Sequence, residues 1–96
     1  MYIFKNRFKM IDTKAKKIKK LLFRSMHRGT KEMDIILGNF ARQNLNNLSA
    51  NELNDFERIL EIPDDALFDW YMKKIDIPEI YNNKVLKLIM NFKVKS

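Results

Sequence analysis

The residues best placed to do chemistry are few, and they gather at His27-Arg28-Gly29-Thr30-Lys31-Glu32-Met33-Asp34, which holds the single histidine and one of two glycines in the chain. A nucleophilic mechanism needs a Ser, Cys or Lys close to a base that a third group orients. His27 is the one imidazole, and it lies in a basic turn, as suits a surface histidine at a helix end. The chain has no cysteine, so disulfides, thiol catalysis, Fe–S ligation and Cys-based zinc sites are excluded. Asp64, Asp65 and Asp69 cluster, but helix capping accounts for the first two. Neither a Gly-rich phosphate loop nor a dinucleotide fingerprint is present. The expectation is therefore no catalytic residue, no metal and no autonomous enzyme. What the stretch does offer is a bare backbone at Gly29 between the planar donor fork of Arg28 and the carboxylate of Glu32. Such a corner suits docking on a partner, although an ordinary C-capped helix followed by an acidic first turn reads the same way.

The elements that must position this corner are helical. Asp12 or Thr13 is a fair N-cap, after which Ile18, Leu21, Leu22 and Ser25 form one buried stripe at i, i+3, i+4, i+7. Gly29 is expected to end that helix in the left-handed conformation that glycine adopts freely. A second helix opens at Thr30 with Glu32 and Asp34 in its first turn, where carboxylates are favoured. Its stripe is Met33, Ile36, Leu37, Phe40 and Ala41, with Gly38 marking close helix packing. Ser49-Ala50-Asn51-Glu52 is a capping box that starts a third helix with Leu53, Phe56, Ile59 and Leu60 inward, stopped at Ile62-Pro63. A short fourth helix carries Leu67, Phe68, Trp70, Tyr71 and Met72, whose aromatics read as packing and not as a stacking box. Pro78 is placed at the first position of a last helix with stripe Tyr81, Val85, Leu88, Ile89 and Phe92. The expected fold is all-α, one small five-helix bundle. Residues 1–14 form a basic N-terminal arm, 15–93 the bundle with the motif at 28–32, and 94–96 a loose tail.

A chain of 96 residues with 46% hydrophobic and 32% charged residues can hold one modest core. Its net charge of +7 is uneven. Residues 1–31 carry 11 Lys/Arg against one Asp, whereas residues 32–83 carry 4 basic and 11 acidic side chains. A solvated basic helix face is the plain reading, and an acidic partner surface, nucleic acid or a membrane surface the alternatives. A groove-reading protein needs a second basic helix after a tight turn, and helices two to four are acidic. A small basic nucleic-acid-binding protein is thus the second reading, and no nucleic acid is expected. No apolar run reaches the 18 or so residues needed to span a bilayer, and no secretory signal is evident.

The stretch from Leu21 to Asp34 resembles the start of the succinate dehydrogenase assembly factor 2 family, called SdhE in bacteria. The family motif Arg-Gly-x-x-Glu is met by Arg28, Gly29 and Glu32. The likeness continues through Leu60-Glu61, Asp64-Asp65, Leu67-Phe68-Asp69-Trp70 and Ile89-Met90, about residues 18–92. The resemblance implies a small helical assembly factor that is not itself an oxidoreductase, and a monomer is expected. It would bind the flavoprotein subunit of succinate dehydrogenase (in some bacteria also fumarate reductase) and promote covalent attachment of FAD to a histidine there. FAD would belong to that client, with no cofactor held stably by this chain. The partner-binding residues implied are Arg28, Gly29 and Glu32, with Arg24, Lys31 and Asp34 beside them. The short, Ser-free residues 1–14 make a poor mitochondrial presequence, so a bacterial cytoplasm is expected ahead of a mitochondrial matrix.

Overall fold

Low glycine and proline content and an abundance of helix formers resolve into five α-helices among the described residues. The computed structural model describes residues 2–94, with side chains from Thr13 onward. The helices are α1 (Tyr2–Met26), α2 (Lys31–Asn44), α3 (Ala50–Ile59), α4 (Asp64–Tyr71) and α5 (Lys84–Met90). Short 3₁₀ turns at Leu45–Asn47 and Glu79–Tyr81 join them, with no strand among the described residues. The all-α expectation holds. The expected cap at Asp12 or Thr13 does not: α1 starts at Tyr2 and passes both positions without a break. Residues 2–14 contain neither Gly nor Pro, so nothing in them stops a helix from propagating. Ser96 and Lys95 of the expected tail lie outside the described residues, while Val94 packs partly buried against the core.

The α1–α2 hairpin is the main pairing. Leu21 and Ser25 are buried on α1, and Ile18 and Leu22 flank them. Ser25 satisfies its hydroxyl by donating to the Leu21 carbonyl at 2.7 Å, so burial leaves no orphan donor. Gly38 of α2 faces this contact. A Cβ there would stand 3.2 Å from Met26 Cγ, and the missing side chain is what lets the helices approach. All five expected core residues of α2 are buried. Phe40 gathers Phe56 of α3 at 5.9 Å and Phe92 at 5.6 Å, the latter edge-on. Tyr71 donates to the Phe92 carbonyl at 2.6 Å, which ties the end of α4 to the end of the chain's last turn.

The last helix departs from expectation. Pro78 opens the 3₁₀ turn, and α5 begins only after Asn83, whose side chain accepts from the Leu86 N–H at 2.8 Å. Val85, Leu86 and Ile89 are buried, while the expected Tyr81 and Leu88 are exposed. Trp70 is buried against Tyr81, ring centroids 5.8 Å apart, so the aromatics of α4 do pack.

The left-handed residue is also elsewhere. No glycine has positive φ, and Lys73 does, at 59°. Lys73 follows α4, with its N–H on the Trp70 carbonyl at 3.1 Å and the Lys74 N–H on the Asp69 carbonyl at 2.9 Å. This is a Schellman closure built on a residue with a Cβ. Lys73→Gly is expected to stabilise the fold by roughly 1 kcal/mol, read in urea unfolding, because the left-handed region costs an L-residue about that much.

The capping box of α3 forms as read. The Glu52 carboxylate accepts from the Ser49 N–H at 2.8 Å and pairs with Lys84 of α5 at 3.2 Å. The Ser49 N–H, then the Lys84 hydrogen bond, hold the Glu52 carboxyl below the ordinary carboxylate value. A lowered folded-state value makes Glu52 stabilising above the unfolded-state value, with that contribution lost as pH falls through the folded one. Acid titration of unfolding free energy is expected to fall more steeply for the parent chain than for Glu52→Gln.

Candidate partner-binding site

The corner between α1 and α2 is built by Arg28. Its side chain is 10% exposed, and its guanidinium is engaged within the chain. Nε donates to Asp64 Oδ1 at 2.7 Å, and the two terminal nitrogens donate to the carbonyls of Leu60 at 2.6 Å and Ile62 at 2.7 Å. These carbonyls lie in the turn that leaves α3, where the helix end leaves acceptors unpaired. One planar fork therefore closes the α3–α4 turn and pins it to the α1–α2 corner. Arg28 was expected to reach a partner's carboxylate or carbonyls. Instead the fold has already supplied that carboxylate and those carbonyls, and the side chain is turned inward.

Backbone donors of the corner are held in the same way. The Arg28 N–H donates to Asp34, and the Thr30 N–H to Asp64 Oδ2 at 3.0 Å. Thr30 Oγ1 accepts from the Met33 N–H at 3.3 Å as the N-cap of α2. Asp34 is thus drawn into the corner rather than presented. Asp64, read from sequence as a helix cap, serves as the counter-ion of Arg28 and the acceptor for Thr30.

Gly29 is exposed and has ordinary φ, so the expected left-handed cap is absent. An added Cβ would meet only Asp64 Oδ2, at 3.5 Å, an ordinary contact. The fold does not itself require glycine here. Around Gly29 lies an open groove of about 640 Å³, lined by Phe23, Arg24, His27, Arg28, Thr30, Asp64 and Asp65. Phe23 is 63% exposed, and its ring stacks on His27 with centroids 4.0 Å apart. His27 Nδ1 sits 2.7 Å from the Phe23 carbonyl, which orients the imidazole.

The structure therefore divides the residues singled out from sequence. Arg24, Arg28 and Gly29 share this groove. Glu32 is exposed but borders a second depression of about 360 Å³, with Ile35, Phe68 and Tyr71 among its walls. Lys31 is exposed and lines neither. Sequence reasoning missed Phe23, Thr30 and Asp64. The signal for Phe23 was available: it falls off the buried stripe of α1, so a large apolar side chain there had to face out.

The charge imbalance along the chain is partly internal. Lys17 of α1 pairs with Glu57 of α3 at 3.6 Å and also bonds Asn54, and Arg24 donates to Glu61 at 2.9 Å. The basic helix thus lies against the acidic one. Among the described residues, no helix is long and apolar enough to cross a membrane.

Comparison with known proteins places this corner in a family. The family model described as "Flavinator of succinate dehydrogenase" matches residues 19–93, which includes the corner, the α3–α4 turn and α5. The chain belongs to that family. An FAD assembly factor SdhE from Acetobacter pasteurianus is 44% identical over 68 residues, covering 71% of this chain and 62% of the relative. A mitochondrial succinate dehydrogenase assembly factor 2 from Dictyostelium discoideum is 41% identical over 73 residues, 76% of this chain and 52% of the relative. Relatives thus come from a bacterium and from mitochondria, and this chain spans about half to three-fifths of their length.

Proposed function

We propose that this flavinator-family chain binds the flavoprotein subunit of succinate dehydrogenase and promotes covalent attachment of FAD to it. The observation that supports this most strongly is the continuous family match across residues 19–93, spanning the entire Arg28–Asp64 corner. The geometry supports a docking role: Gly29 is flat and exposed, an aromatic stack stands beside it, and Glu32 is open to solvent. In this reading Arg28 shapes the grip and Gly29, Phe23 and Glu32 touch the client.

The chain acts without catalysing bond formation itself. It holds the client's domains in the arrangement in which flavin and histidine react, and such positioning alone can supply a large share of a barrier. FAD is the client's cofactor. The working compartment is the one that holds the flavoprotein subunit, a bacterial cytoplasm on the expectation given above. Fumarate reductase is a second client by the same chemistry, and the chain works as a monomer.

The test is restoration. In a host lacking the endogenous factor, expression of this chain is expected to restore covalent flavin on the flavoprotein subunit, read as in-gel flavin fluorescence of the denatured protein. Unchanged, flavin-free client in the presence of folded chain would reject the reading.

A further inference from the structure

The seam between α2 and α4 carries the second depression, and Glu32 stands there rather than in the Gly29 groove. On α2, Glu32, Ile35 and Ile36 fall at i, i+3 and i+4 and so share a face. Across from them α4 supplies Phe68 and Tyr71, also three residues apart, and Val94 after α5 adds to the apolar lining. Tyr71 is fixed by its bond to the Phe92 carbonyl, while Phe68 and Val94 pack against the core. The depression is therefore formed before anything occupies it, as binding sites usually are. Of its apolar walls Ile35 is the most exposed, at 44%.

Two observations say what would sit there. The first is continuity with the corner. Thr30, the N-cap of α2, and Asp65 of α4 line the Gly29 groove, while Glu32 and Phe68, two and three residues further along, line the depression. The second is charge. Glu32 and Asp65 are both exposed, and neither makes an ion pair among the described residues. Arg28, the cation of the corner, is taken up by Asp64, and Lys31 lines neither hollow. Lys93, the other charged wall of the depression, does not pair with Glu32, so a segment bearing a cation is directed to Glu32 and away from Lys93.

We infer that the client-binding surface continues from the Gly29 groove over the α2–α4 seam, where an apolar side chain of the flavoprotein subunit seats on Ile35, Phe68 and Tyr71, with a neighbouring Lys or Arg paired to Glu32. The inference rests on the function proposed above and names what that contact recognises. Nucleic acid does not match, because the unpaired carboxylates that border the seam would repel its phosphates. The apolar contact governs residence, and the charge pair fixes which segment docks.

The test uses the full chain and the isolated flavoprotein subunit, with binding followed in real time. Ile35→Ser is expected to speed dissociation by roughly tenfold or more, with the fold intact by circular dichroism. Glu32→Gln is expected to weaken binding by about tenfold, Glu32→Lys by more, and Glu32→Asp least. If Gly29→Arg abolishes binding while Ile35→Ser dissociates like the parent, the interface stops at the Gly29 groove and the inference is overturned. Glu32→Gln binding as tightly as the parent overturns it too, because the occupant then carries no cation on Glu32. A parent chain that self-associates in sedimentation, with Ile35→Ser monomeric and its flavoprotein binding unchanged, would overturn it in favour of a second copy. No binding of the parent chain to the flavoprotein would overturn the functional reading as well, which separates the two failures.

Discussion

Arg28→Ala is expected to lower the unfolding free energy by roughly 3–5 kcal/mol, a large part of what a domain of this size holds. The reason is the number of groups it leaves stranded. Asp64, whose side chain is 11% exposed, loses its counter-ion, and the Leu60 and Ile62 carbonyls lose their donors together. Removing one member of a shielded pair costs more than the pair contributes, because the remaining charge stays desolvated. Arg28→Lys keeps the charge but provides no planar fork, so it can serve one or two of the three acceptors. Its loss is expected to be smaller, about 2–3 kcal/mol. Urea unfolding followed by circular dichroism checks both, and a loss below about 1 kcal/mol for Arg28→Ala would mean the fork is not holding the corner. Any fall in flavinylation in these variants would then follow from a loosened corner rather than a lost contact to the client.

Gly29 predicts the opposite pattern. Since its φ is ordinary and a Cβ meets nothing closer than 3.5 Å, Gly29→Ala is expected to fold with unchanged or slightly raised stability. Gly29→Arg is expected to fold as well, its long side chain reaching from an exposed position into solvent. Yet it would place bulk and charge in the middle of the open groove. Flavinylation of the client is expected to fall by at least about tenfold, the cost of misplacing a surface that acts by positioning. A stable Gly29→Arg chain that flavinylates normally would place the client contact elsewhere. A Gly29→Arg chain that does not fold would mean the corner is tighter than its exposure indicates.

Much of the fold could be read from the chain, and the misses share a cause. Helices with strong periodicity and explicit caps were legible: α2 with Thr30, and α3 with Ser49 and Glu52, sit where the residues say. The start of α5 was not, because Pro78 is compatible with a first helical position and with a 3₁₀ turn, and only tertiary packing selects between them. In the fold it is Asn83 that caps the helix. Gly29 was misread for a related reason. A glycine after a basic helical turn fits a left-handed cap, but here the corner is fixed by Asp34 and Asp64 accepting its N–H groups, so no left-handed residue is needed. The left-handed position falls on Lys73, which nothing in its side chain advertises. The change at Gly29 from a basic helix to one with an acidic first turn marked the corner between α1 and α2. The inward turn of Arg28 depended on Asp64, 36 residues away, a pairing that a single sequence does not display.

The central claim is that the exposed side of this corner is a grip for a flavoprotein, and photo-crosslinking tests it most directly. A photoreactive residue in place of Glu32 samples the corner, and one in place of Leu88, exposed on α5, samples the remaining surface. With the succinate dehydrogenase flavoprotein subunit present, position 32 is expected to capture it and position 88 to give little or none. Capture from position 88 with none from position 32 would contradict the account.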